Sequence, residues 1–296
     1  PTMKSAIAAG EPVTLDQVGL FADGVAVRRV GTETFRLCRE LLDDIILVDT
    51  DAICAAIKDI FDDSRAVAEP SGALALAGLK AWSASNPGPG ALVAVNSGAN
   101  VNFDRLRHIA ERAEIGEGAE ALLAVAMADD RDAYSRFLHT LDGRSVTEFN
   151  YRWSGEGVAH IFVGVALRSG PHEKDDLIAA LRDGGYAVED MSDNETAKLH
   201  VRYMVGGRAS GLPGERILRF QFPERPGAFL GFLNSLRPAW NLTLFHYRNH
   251  GAAYGRVVAG LQVPQHERHL VAEALDGIGY QYWDETDNPA YRLYLG

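Results

Sequence analysis

The sequence predicts two fold classes in succession: an α/β segment with a parallel sheet, then a pair of small α+β domains of one βαββαβ type. Two observations carry this. The first is an internal duplication. Ala133-Tyr134-Ser135-Arg136-Phe137-Leu138-His139-Thr140-Leu141 returns as Ala228-Phe229-Leu230-Gly231-Phe232-Leu233-Asn234-Ser235-Leu236, and Phe149-Asn150-Tyr151-Arg152 returns as Phe245-His246-Tyr247-Arg248. Asp190, Asp193-Asn194 and Leu199 return as Asp284, Asp287-Asn288 and Leu293, all at offsets of 94 to 96 residues. Two copies are too few for a solenoid and read as two domains of one kind. The second observation is the alternation of short apolar runs with helical patterns before residue 118.

In the first segment, Ile45-Ile46-Leu47-Val48 reads as a buried strand. Asp51 is placed to cap the helix that follows, where Ile53, Ile57, Ile60 and Phe61 recur at helical spacing. Pro70 suits the first position of a second helix, and the small residues Gly72–Leu79 permit close packing. Leu92-Val93-Ala94-Val95 reads as another buried strand, followed by Asn96-Ser97-Gly98-Ala99-Asn100 and a helix with Phe103, Leu106 and Ile109. In the first copy, an apolar strand spans 122–127 and an amphipathic helix carries Phe137, Leu138 and Leu141. Two strands near 146–152 and 159–167 flank a Gly-rich turn. A helix with Leu177, Ile178 and Leu181 ends at Gly184-Gly185, and a last strand begins at Tyr186. The second copy repeats the order: strand 217–222, helix 228–236, strands 242–248 and 256–263, helix 267–275, and a strand from Tyr280. The expected boundaries are 1–118, 119–207 and 208–296. Unpaired edges of such units favour joining the two copies side by side in one antiparallel sheet.

Composition narrows the function. A formal net charge of −11 argues against nucleic acid or an anionic membrane as the main partner. No apolar run approaches the ~18 residues of a transmembrane helix, and no signal peptide is visible, so a cytoplasmic location is expected. Cys38 and Cys54 form no CxxC pair and read as reduced thiols. Gly116-Glu117-Gly118 with Ala121 matches a loose dinucleotide fingerprint but follows a helix and precedes a strand, the reverse of what that motif needs. His246 with His250, and His266 with His269, lack a third ligand, so no metal site is expected. Two motifs do suggest chemistry: Glu69-Pro70-Ser71-Gly72-Ala73 and Ser97-Gly98-Ala99-Asn100. A hydroxyl beside a glycine at the end of a buried strand suits a flat heterocycle. An ordinary capped strand-to-helix turn explains the same spacing.

Taken together, 22–27, 49–53, 68–73 and 97–102 resemble the threonine ammonia-lyase (threonine dehydratase) family. So do Gly143–Arg152, His200–Arg208 and Phe245–His250. The resemblance runs through essentially the whole chain. It implies the C-terminal part of a pyridoxal-phosphate catalytic domain of the tryptophan-synthase-β type (fold type II), followed by two ACT-like regulatory domains. It further implies deamination of L-threonine to 2-oxobutanoate and ammonia on the way to isoleucine. Ser97 would hydrogen-bond the pyridine nitrogen of the cofactor, Gly24 would lie against its ring, and Glu69 near its edge. The family's cofactor-bearing lysine and tetraglycine phosphate loop have no counterpart here. The lysines are Lys4, Lys58, Lys80, Lys174 and Lys198, none in the family's setting. The chain is therefore expected to be an inactive piece of a longer enzyme. The alternatives are a stand-alone amino-acid-binding regulatory protein and a related enzyme acting on serine.

Regulation is expected mainly in the second copy. ACT-type domains bind amino acids at the strand-to-helix loop, here Phe222–Leu230. Pro226 can start the helix, Gly227 lets a ligand reach backbone N–H groups, and the helix N-terminus attracts a carboxylate. Glu224 could pair with an amino group, Arg225 belongs to the same loop, and Phe229, Leu230 and Leu233 could line an aliphatic pocket. The first copy places Asp129, Asp130 and Asp132 at the equivalent point and lacks the glycine. Its Tyr134, Arg144 and Glu148 are expected to contribute at the junction between copies. The family resemblance implies isoleucine as inhibitor, valine as competitor, and a homotetramer.

Overall fold

The computed structural model describes residues 1–296 apart from 154, 156, 169, 205, 207, 208, 210, 211, 224–226, 249–253, 290, 292–294 and 296. It divides into two compact units, Pro1–Glu117 and Gly118–Gly296.

The first unit is built from helices α1 (Thr2–Ala9), α2 (Thr32–Leu41), α3 (Thr50–Ser64), α4 (Pro70–Ser85) and α5 (Phe103–Gly116). Small residues let α3 and α4 approach closely: Cys54, Ala56, Ala73 and Ala77 are buried, together with Ile53, Ile57, Ile109 and Ala113. Burial pushes the Cys54 thiol up to about 12, so it stays protonated and inert. Pro70 opens α4 as the sequence predicts. The cap of α3 is Asp49, whose carboxylate accepts from Ala52 N at 2.8 Å. Asp51, the expected cap, lies in the first turn and pairs with buried Arg112 of α5 instead. The expected strands at 45–48 and 92–95 do not form. Both segments are irregular, with Leu47 54%, Leu92 52% and Val93 82% exposed. The reason is that a strand exists only through a neighbour's hydrogen bonds. Among the described residues of this unit the only ladder contact is the isolated bridge Thr14–Arg29.

The second unit holds both copies. The first runs β1 (Glu120–Ala128), α6 (Arg131–Thr140), β2 (Val146–Arg152), β3 (Val158–Ala166), α7 (Pro171–Asp183) and β4 (Ala187–Asp190). After α8 (Glu195–Leu199) and a 3₁₀ turn at Val201–Tyr203, the second runs β5 (Glu215–Pro223), α9 (Ala228–Ser235), β6 (Asn241–Arg248), β7 (Tyr254–Gln262), α10 (Val271–Ile278) and β8 (Tyr282–Asp284). All strands join one antiparallel sheet of order β4-β1-β3-β2-β6-β7-β5-β8. The two copies thus lie side by side in a shared sheet, as the edge-strand argument requires.

The seam between them is the β2–β6 ladder. Asn150 pairs with His246, its own counterpart in the repeat, while Phe149 pairs with Tyr247 and Tyr151 with Phe245. A pseudo-two-fold axis therefore passes between Asn150 and His246. Strand alternation sends Phe149, Tyr151, Phe220 and Phe245 to the helix-covered face, where they join Phe137, Phe232 and Leu181 in one core. Glu120, Glu148, Asn150, Arg152 and Glu215 alternate with core residues and occupy the other face.

Candidate cofactor and effector sites

In the first unit, three segments converge on the two motifs singled out above. Glu69 N donates to Gly98 O at 3.0 Å, and the Glu69 carboxylate lies directly on the Gly98 backbone, where any Cβ would collide with it. Gly72 packs equally tightly: a Cβ there would meet Gly98 O and come within 2.7 Å of Asn96 Oδ1. Gly24 sits in the 3₁₀ turn Asp23–Val25, and a Cβ on it would stand 2.7 Å from Ser71 Oγ. Arg105 of α5 anchors this turn, donating to Phe21 O at 3.3 Å and to Asp23 at 3.2 Å. The structure thus brings Gly24, Glu69 and the Ser97–Gly98 loop into one cluster, linked through Ser71 and Gly72.

Two features bear on whether this cluster suits pyridoxal phosphate. Ser71 Oγ is buried and has no hydrogen-bond partner, and Gly24 and Ser97 are exposed. An orphan hydroxyl beside a side-chain-free turn fits one wall of a site for a flat polar ring. Ser71 escaped sequence reasoning, although it lies inside a motif already marked, because an orphaned atom is visible only in three dimensions. The lysines of this unit are engaged elsewhere: Lys4 with Ile45 O, Lys58 with Glu117 and Lys80 with Asp59.

In the second unit, Gly227 is the N-cap of α9 with φ +81°, a left-handed conformation that favours glycine, and among the described residues nothing lies within 4 Å of where its Cβ would stand. Glu224, Arg225 and Pro226 lie outside the described residues. Phe229 stacks on Phe245 with centroids 4.0 Å apart and meets Phe149 of the other copy edge-on at 4.8 Å. Leu230 is half-buried beside it, and Leu233 is buried in the core. Gly227, Phe229 and Leu230 therefore share one neighbourhood at the seam.

The first copy differs. Asp130 already fills the helix N-terminus, accepting from Ala133 N at 2.6 Å. Asp129 accepts from the hydroxyls of Tyr134 at 2.8 Å and Tyr151 at 2.6 Å, leaving its second oxygen buried and unpartnered. Burial, with Asp129 alongside, raises both phenols well above their ordinary range. Arg144 is tied to Glu173 at 2.8 Å. Glu148 points to the opposite sheet face, so Tyr134, Arg144 and Glu148 do not form one group. Strand alternation puts Glu148 and Phe149 on opposite faces, with Glu148 still on the seam strand β2.

Comparison with known proteins follows this division. Residues 111–201 and 206–295 match the C-terminal regulatory domain of threonine dehydratase, and residues 1–98 match the pyridoxal-phosphate dependent enzymes. The chain belongs to the threonine dehydratase family. It is 56% identical over 294 residues to the biosynthetic L-threonine dehydratase IlvA of Escherichia coli (strain K12), covering 99% of this chain and 57% of that protein. It is 45% identical to the mitochondrial threonine dehydratase of Saccharomyces cerevisiae (strain ATCC 204508 / S288c), covering 99% of this chain and 53% of that one. The processed form of threonine deaminase isoform 2 from Solanum lycopersicum aligns with a TM-score of 0.37 at 43% identity, over 38% of this chain and 33% of that chain. The chain thus spans about half the length of the sequence relatives it matches in the threonine dehydratase family. No helix among the described residues is long and apolar enough to cross a membrane.

Within the family's regulatory region, the charged face of the double sheet was not foreseen. The repeat contained the signal. Glu120 and Glu215 are counterparts, as are Thr147 and Thr243, and in each copy the threonine hydroxyl donates to the glutamate at 2.5 Å. Paired charges recurring at strand positions mark a buried polar face rather than a solvated one. Gly164 and Gly260 complete both clusters, because a side chain at either would occupy the space of that threonine and glutamate.

Proposed function

We propose that this chain is the C-terminal part of a biosynthetic threonine dehydratase, contributing one wall of the pyridoxal-phosphate site and a regulatory sheet that senses isoleucine. The observation that carries this reading is the succession of the Gly24–Glu69–Ser97 cluster and a seamed pair of βαββαβ copies in one chain. When bound, pyridoxal phosphate supplies the electron sink that lets L-threonine lose its α-proton and β-hydroxyl, giving 2-oxobutanoate and ammonia. Gly24 leaves room for the ring. Ser97 offers the pyridine nitrogen a neutral hydroxyl, which unlike a carboxylate does not hold that nitrogen protonated. Glu69, fixed on Gly98, stands at the edge of the same cluster. A cytoplasmic homotetramer is part of this proposal.

In the regulatory unit, the free N–H groups after Gly227 receive the effector carboxylate, and Phe229 and Leu230 receive its aliphatic side chain. Isoleucine is the expected inhibitor and valine its competitor. Titration calorimetry tests this. Isoleucine should bind the chain, and Gly227→Asp should abolish binding. Gly227→Ala separates the cost of the left-handed backbone from repulsion of the carboxylate. Unimpaired binding by Gly227→Asp would place the site elsewhere. The chain alone is expected to release no 2-oxobutanoate from L-threonine; measurable release would remove the need for a separate lysine-bearing part. A stand-alone regulatory protein is the alternative. Mixing the chain with a lysine-bearing N-terminal half from the family decides between them, since only the first reading expects activity to appear.

A further inference from the structure

The two strand-to-helix corners of the repeat differ residue by residue. Ala228 and Phe229 of the second copy are the counterparts of Ala133 and Tyr134. Helix α9 begins at Ala228, directly after left-handed Gly227, and Gly231 N donates to Gly227 O at 2.8 Å. The N–H groups of Ala228, Phe229 and Leu230 precede that bond, and among the described residues none of the three has an acceptor.

In the first copy the helix starts earlier. Helix α6 begins at Arg131, so Asp132, the counterpart of Gly227, lies inside its first turn. Asp130 takes the N-cap position, and its carboxylate accepts from Ala133 N at 2.6 Å. Tyr134 N donates to Asp130 O at 3.3 Å. The counterparts of two N–H groups that stand open in the second copy are thus both engaged by Asp130 in the first.

The wall beside each corner differs as well. Phe229 packs on Phe245 and Phe149, an apolar surface that matches an aliphatic side chain. Its counterpart Tyr134 instead donates its hydroxyl to Asp129 Oδ1, and Tyr151 donates to the same oxygen. Both tyrosines are buried, and Asp129 Oδ2 is enclosed without a partner. The β2–β3 turn closes over this corner, with Asp129 N donating to Gly157 O at 3.1 Å. A ligand carboxylate arriving here would meet engaged donors, the like charge of Asp129, Asp130 and Asp132, and hydroxyls in place of an apolar wall.

We infer that one chain binds one effector molecule: the second copy senses, and Asp130 closes the matching corner of the first as an internal carboxylate in the ligand's place. This count rests on the effector assignment made above. The first copy still takes part, because its Phe149 supports Phe229 across the seam. An assembly of identical chains therefore holds as many effectors as it has chains, not twice as many.

Equilibrium dialysis of the whole chain against labelled L-isoleucine tests the count. The wild-type chain should saturate at one molecule per chain. Gly227→Asp should bind none. Asp130→Asn, which keeps a capping oxygen, should still bind one with unchanged affinity. Hydrogen exchange locates the molecule: at saturation the amides of Ala228, Phe229 and Leu230 should gain protection, and those of Ala133 and Tyr134 should not. Saturation at two molecules per chain would overturn the inference and leave isoleucine as the effector. So would protection gained at Ala133 and Tyr134, one molecule retained by Gly227→Asp, or weaker binding by Asp130→Asn. No binding by the wild-type chain would remove the effector assignment and the count together.

Discussion

The two units use apolar residues in opposite ways. In the second, the large side chains of the sheet's helix-covered face are buried, and Phe137, Phe149, Phe220, Phe232 and Phe245 are fully enclosed. In the first, Leu20, Leu41, Leu47, Leu92, Val93, Val95 and Phe103 stand exposed by half or more, and its buried core is made mainly of small residues. A helix completes its hydrogen bonds within itself, so α3, α4 and α5 form from their own sequence. A strand cannot, so 45–48 and 92–95 stay irregular, and Ile46, Leu47, Leu92, Val93 and Val95 are left exposed. The lesson is that burial of an apolar run depends on whether a neighbour is present, not on the run.

The largest expected effect breaks this comparison at its strongest point. Phe245→Ala removes the ring that Phe149, Phe222, Phe229 and Phe232 all touch and should cost ~3–5 kcal/mol in the second unit alone. Trp82 reports on the first unit and Trp153, Trp240 and Trp283 on the second, so urea titrations of single-tryptophan chains can follow each. A shift of the Trp82 transition would mean the units do not unfold separately.

Next in size is Arg152→Ala. It leaves Glu215 buried without its cation, at a cost of about 3 kcal/mol. The pH dependence carries its own sign. Glu215 is held below its ordinary value, so its contribution is present above about pH 4.5 and is lost as pH falls through the lowered folded value. Acid titration of stability should therefore be shallower in the variant. Glu148 acts oppositely. Its value is raised to about 7, so its contribution is full below its unfolded value and fades as pH rises through 7. Glu148→Gln should flatten the neutral limb of the profile and leave the acid limb to Glu215.

These positions show how much of the molecule was legible beforehand. The duplication announced both copies, their element order and their side-by-side sheet, because amphipathic periods and edge pairing are local or near-local properties. The clustering of Gly24 with Glu69 and Ser97 rested on the family resemblance, since no spacing rule joins segments so far apart. The pairing of Arg202 with Glu148 was hidden because it depends on which face Glu148 takes and on a linker with no strong pattern.

Smaller effects sharpen the contrast. Asp49→Ala should cost ~1 kcal/mol in the first unit, measured through Trp82, because it removes the cap of α3; Asp51→Ala would match it only if Asp51 were the cap. Val93→Ser should change the stability of this chain by less than ~0.5 kcal/mol, since the side chain is 82% exposed. The same substitution should nevertheless weaken activity regained with a lysine-bearing half, if that half covers the 92–95 segment. A large loss of stability in the chain alone would show that Val93 is already packed.

The pseudo-two-fold seam has a consequence for dilution. Two separate chains meeting through β2 would form such a ladder only in proportion to their concentration. Both sides would also have to be identical, as in any symmetric dimer. Here the halves are tethered, so they meet at an effective concentration on the order of millimolar however dilute the protein is. Tethering also lifts the demand for identity. Glu148 can stand on one side and Leu244 on the other, and a buried charge that a symmetric pair would have to carry twice is carried once.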